Sequence, residues 1–109
     1  SIRFRAPFGV CALSIAETPY RIAGFSYQGM RLIGANPIDI GTCFAIRDPG
    51  ASAGALLARV RWCRRREDGE FDLGLSLKPD YGSGDNLLRI MNSLARGDAR
   101  TEMLAPARS

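Results

Sequence analysis

Histidine is missing from the 109 residues, and lysine occurs once, at Lys78. Without histidine the commonest general base, the commonest metal ligand and every Ser-His or Cys-His arrangement drop out. Cysteine is scarce as well: Cys11, Cys43 and Cys63 are far apart, odd in number and show no C-x-x-C spacing. Neither a disulfide framework nor a zinc site is indicated, no metal is expected, and the three read as small buried hydrophobes. No apolar run approaches the ~20 residues of a membrane span, and the start of the chain has no signal-peptide pattern. The expectation is a cytoplasmic protein. An enzyme can work with two carboxylates instead of histidine, but Glu67, Asp68, Glu70 and Asp72 crowd a hairpin turn, where acids are ordinarily solvated. No enzymatic activity is expected.

What is present fits one domain large enough to hold a core without staples. Hydrophobic residues make up 46% and charged residues 24%, the balance of a globular chain rather than a disordered one. The net charge is +4, and every basic residue except Lys78 is arginine. Arginine's planar fork suits bidentate contacts to phosphate and guanine better than lysine's point charge does. A bias spread along the chain is not a site, so clustering carries more weight. Arg3 and Arg5 sit in the entry segment, and Arg59, Arg61, Arg64, Arg65 and Arg66 crowd one strand and its turn. The last three, beside Glu67, Asp68 and Glu70, read as a solvated, charge-balanced turn rather than a nucleic-acid patch.

Along the chain, residues 1–7 form a basic, extended entry, and strands are expected over 8–15, 20–26, 30–33, 42–47, 55–65 and 71–77. A turn is read at Glu17-Thr18-Pro19. Alternation sets Tyr20, Ile22, Gly24 and Ser26 on one face of the second strand, and Gly29 is expected to relax the following turn. Ile38 and Ile40, in the loop over 34–41, are expected to cover one end of a core. Residues 48–54 form a connector of small residues. In the long strand over 55–65, Leu56, Ala58, Val60 and Trp62 share one face, while Asp68-Gly69 is the strongest hairpin signal in the chain. Leu87, Ile90, Met91 and Leu94 then fall at helical spacing, and Gly97 stops an amphipathic helix spanning about 86–96. Residues 1–97 make the domain, and 98–109 read as a flexible tail or linker. Six strands with short turns and one helix describe a small antiparallel barrel with a helical lid.

Gly24-Phe25-Ser26-Tyr27-Gln28-Gly29-Met30-Arg31-Leu32 is similar to the (Asp/Asn)-x-Ser-x-x-Gly motif of PilZ domains. The stretches 56–62 and 71–77 resemble that family's later hairpin, and the arginine entry segment lies in the matching place. The resemblance spans about 3–94. It implies a mainly β fold, the six-stranded antiparallel PilZ-like β-barrel with a C-terminal α-helix. It also implies a bacterial regulatory module that binds cyclic di-GMP and signals to a fused domain or partner protein, in settings such as motility or biofilm formation. Ligand-binding residues would be Arg3, Arg5, Ser26, Gly29 and Arg31, with Trp62 as a weaker candidate, since its strand face places it in the core. Two departures stand out. Gly24 replaces the motif's Asp or Asn, removing an acceptor for guanine, and no Arg-x-x-x-Arg is complete, because four residues past Arg3 is Pro7 and four past Arg5 is Gly9. Two readings follow: a cyclic di-GMP receptor of reduced affinity, or a nucleotide-independent interaction module. A nucleic-acid polymer is not expected as partner, because no exposed aromatic ladder accompanies the basic residues.

Overall fold

The computed structural model describes residues 3–4, 12–26, 28–50, 55–80 and 84–104. Arg5, Cys11, Tyr27, the connector over 51–54 and the chain end over 105–109 lie outside the described residues. Among the described residues the fold is mainly β with one helix: β1 (Arg3–Phe4), β2 (Ala12–Ile15), β3 (Thr18–Ser26), β4 (Gly29–Gly34), β5 (Cys43–Arg47), β6 (Ala55–Arg65), β7 (Phe71–Asp80), α1 (Gly84–Arg96) and β8 (Arg100–Met103). All pairings are antiparallel. The order β2-β3-β4-β7-β6-β5-β8 curls until its ends meet, where the Thr101 hydroxyl donates to the Ser14 carbonyl at 2.5 Å. Short β1 shares with β2 the free edge of β3. The result is a nearly closed barrel, a shape that leaves few strand edges open.

The alternation expected from sequence fills the interior. Leu13 and Ile15 of β2, Met30 and Leu32 of β4, Phe44 and Ile46 of β5 and Leu73, Leu75 and Leu77 of β7 are buried in one core. Ile90 and Leu94 of α1 join that core, so the helix covers one end of the barrel. Gly97, with φ 77°, ends the helix as its spacing predicts: its N–H bonds the Leu94 carbonyl and the Asp98 N–H bonds that of Ser93, the paired bonds of a Schellman cap. The Asp68-Gly69 hairpin also forms, with Gly69 at φ 88° and an Arg66 N–H to Glu70 carbonyl bond of 2.7 Å closing it.

The described residues form eight strands rather than six. β1 is drawn out of the entry segment by β3, and residues 100–103, read as part of a loose tail, instead form β8 on the outer edge of β5. The first tight turn is Ala16-Glu17 rather than Glu17-Thr18-Pro19. Both turn residues have positive φ, 50° and 68°, the handedness a two-residue hairpin needs to match strand twist. Pro19 sits within β3, paired with Ser14. Ile38 packs against the core as expected, whereas Ile40 is 68% exposed. Cys43 and Cys63 are free and half-buried, Cys63 packing against the core.

Candidate functional site

Two bulges decide what the outer face of the barrel carries. In β3, Ile22 pairs with Leu32 but Gly24 pairs with Arg31, leaving Ala23 as the extra residue. In β6, Val60 pairs with Leu75 but Trp62 pairs with Gly74, leaving Arg61 extra. An extra residue in a period-2 strand exchanges the faces of everything beyond it. Gly24 and Ser26 therefore leave the face of Tyr20 and Ile22, and Phe25 takes the core position. Trp62 likewise leaves the face of Leu56 and Val60. Its placement in the core is corrected: Val60 is fully buried, whereas Trp62 is 40% exposed.

The bulges bring Gly24, Arg31, Gly74 and Trp62 into one transverse row across β3, β4, β7 and β6. The Trp62 indole lies directly on Gly74, where a Cβ would come within 2.1 Å of Cε2 and Nε1. At the other end of the row a Cβ on Gly24 would meet only the Arg31 Cβ, at 3.9 Å. The row floors an open depression of about 770 Å³, whose walls include Ser26, Gly29, Arg61 and Arg64. Four of the sequence candidates, Ser26, Gly29, Arg31 and Trp62, thus meet in one place. The backbone of Arg3 runs opposite Ser26; Arg5 is outside the described residues.

The chemistry of these residues differs from what their motif positions suggest. The Ser26 hydroxyl is engaged in its own turn, accepting from the N–H groups of Gln28 (3.3 Å) and Gly29 (3.2 Å) and donating to the Gly29 carbonyl. Gly29 is not in the left-handed region, so it does not serve as a relaxed turn residue. It is favoured by close strand approach, since a Cβ there would stand 3.0 Å from the Leu75 carbonyl oxygen.

Arg31 carries the strongest electrostatic feature. Its Nε and Nη2 donate to the two carboxylate oxygens of Asp72, both at 2.7 Å, a bidentate pair of the strong, charge-assisted kind. The Asp72 side chain is 3% exposed and that of Arg31 50%. Asp72 is therefore not one of the solvated turn acids it resembles in sequence. The hydrogen bonds from Arg31 hold its carboxyl below the ordinary carboxylate range against the opposing effect of burial, with Arg64 and Arg66 adding to the shift. The same hydrogen bonding raises the Arg31 pKa.

Sequence reasoning missed Arg64, Arg61 and Asp72. The Arg64 guanidinium stands 5.5 Å from the Trp62 ring centroid and 3.7 Å from the Asp72 carboxylate, while Arg61 Nε donates to Ser76 at 3.1 Å. Two other hairpin charges are paired as a turn's would be, Arg66 with Asp68 and Glu70 with Arg21 of β3. The signal that would have found the site residues was the register, which no single strand's alternation contains. The arrangement offers guanidinium groups, an indole and an unfilled space over Gly24, which suits a planar anion. Among the described residues no group of three or more acidic, cysteine or histidine side chains is placed to hold a metal, and no helix is long and apolar enough to cross a membrane. No protein-family model, curated protein or solved structure matches the chain.

Proposed function

We propose that the outer-face depression binds cyclic di-GMP and that the domain acts as a PilZ-like regulatory module, passing occupancy on to a fused domain or partner protein. The observation that carries this reading is the convergence of Ser26, Gly29, Arg31 and Trp62, from three strands, on one open face with Arg61 and Arg64 beside them. Phosphates favour bidentate guanidinium groups, guanine O6 and N7 accept from arginine, and a purine stacks on indole or guanidinium planes. Calorimetry with cyclic di-GMP tests it, with uptake expected that Arg3→Ala weakens. Gly24→Asp restores the missing acceptor at a position with room for a side chain. A base-edge contact of this kind is worth about 1–3 kcal/mol, so affinity should rise roughly tenfold or more. No heat at high micromolar ligand overturns the receptor reading.

One observation favours a second reading, the nucleotide-independent interaction module. Arg31 already has a carboxylate in Asp72, and Ser26 already has its turn, so two of the candidate ligand residues are satisfied without a ligand. Absence of cyclic di-GMP uptake by both the natural chain and Gly24→Asp selects this alternative.

A further inference from the structure

The depression has two arginines held by hydrogen bonds and one that is not. Arg31 is fixed by its two bonds to Asp72, and Arg61 by its bond to Ser76. The Arg64 side chain makes no hydrogen bond to a described residue. Its side chain is 73% exposed, its guanidinium is 3.7 Å from an Asp72 oxygen already bonded to Arg31, and its remaining contact is the indole of Trp62. One face of that indole is closed by Gly74, so a planar group can stack only on the other. Arg64 also stands on the boundary between this depression and a second one of about 540 Å³, which Arg65, Arg66 and Asp68 help to line.

We propose that Arg64 is the mobile clamp of the site: on ligand arrival it leaves Asp72, closes over the bound nucleotide and pairs with its phosphate. This rests on the receptor reading above and adds to it a residue outside the motif. The direction of movement follows from comparing partners. The contacts Arg64 gives up are an exposed cation–π contact and a long, solvent-screened ion pair, both weak. The contact it gains is a charge-assisted bond to phosphate, of the stronger kind and bidentate in the best geometry. Asp72 loses little when Arg64 departs, because Arg31 stays on both its oxygens.

The test is cyclic di-GMP calorimetry on the full chain, alongside emission from Trp62, the only tryptophan in the sequence. Arg64→Ala should weaken binding about tenfold, the loss of one charge-assisted contact, with an unchanged melting temperature. Arg64→Lys should recover part of the loss, since it keeps charge without the planar fork, and Arg65→Ala should stay within about twofold of the natural chain. Ligand should also shift Trp62 emission in the natural chain. Equal affinities for Arg64→Ala and the natural chain overturn the clamp while leaving the receptor reading intact, and so does an equal loss in Arg65→Ala, which would mean general charge attraction. No uptake by the natural chain overturns the receptor reading and the clamp with it.

Discussion

Gly74 is predicted to be irreplaceable as long as Trp62 keeps its place. A Cβ at position 74 would lie 2.1 Å from Cε2 and Nε1 of the indole and 2.6 Å from Cζ2. Ordinary carbon contacts are about 3.5–4.0 Å, so Gly74→Ala must push the ring outward by roughly 1.5 Å. A well-packed tryptophan buries about 150–250 Å². Trp62, 40% exposed, sits at the low end of that range, and losing roughly 80–100 Å² of contact at about 25 cal/mol per Å² costs about 2–2.5 kcal/mol. Replacing a strand glycine returns about 0.5–1 kcal/mol of backbone entropy. The net expectation is a destabilisation of about 1–2 kcal/mol, or roughly 5–10 °C in melting temperature for a domain of this size. Thermal unfolding followed by tryptophan emission reads both effects, with the emission maximum moving to the red in the folded variant. The decisive comparison is a double-mutant cycle, followed by far-ultraviolet circular dichroism because Trp62 is the only tryptophan: in a Trp62→Ala background the same Gly74→Ala change should be neutral or stabilising. A loss of stability that persists without the indole would refute the argument, placing the cost in the strand backbone.

Asp72→Asn should lower stability at neutral pH by about 1–2 kcal/mol, less than a fully buried pair because Arg31 is half exposed. The Asp72 pKa is depressed in the folded state, so its contribution is present above the unfolded value near 4 and is lost as pH falls through the folded one. Urea midpoints of the variant and the natural chain should accordingly converge below about pH 4, and a gap that stays constant with pH would refute the ionic assignment. At the β2–β3 turn, Ala16 and Glu17 both stand in the left-handed region, where a side chain costs about 1 kcal/mol or more per residue. Replacing the pair by Asn-Gly should raise stability by about 1–2 kcal/mol, read as a higher urea midpoint with an unchanged m-value.

Much of the fold is written in local pattern. The β6 range is the one that alternation predicts, the Asp68-Gly69 turn and the Gly97 helix stop occur where glycine's backbone freedom allows them, and the i, i+3, i+4, i+7 spacing places α1 over the barrel end. What local pattern does not contain is edge pairing. Residues 100–103, Arg-Thr-Glu-Met, have little hydrophobic alternation, and their burial is poor. They become β8 because β5 offers unpaired backbone groups and Cys43 accepts from the Leu104 N–H just beyond, a requirement of the sheet rather than of those residues.

The candidate site was legible as a set of residues but not as a surface, and the two bulges explain the difference. Strict alternation from Tyr20 carries Gly24 and Ser26 inward, and strict alternation from Leu56 carries Trp62 into the core. Had both strands been regular, Trp62 would compete with the small space inside β7, while Phe25, now 9% exposed, would face solvent. Large apolar groups at Ile22 and Phe25, an odd number of residues apart, cannot both be buried without an extra residue between them, and the same holds across Val60 and Cys63. The core thus demands the bulges, and the outer face inherits their consequence. Ala23 and Arg61 absorb the irregularity, and the residues beyond them turn outward together. That is why a glycine, an arginine, a second glycine and a tryptophan from four strands share one row: hydrophobic spacing inside the barrel sets the position of the polar and aromatic groups outside it.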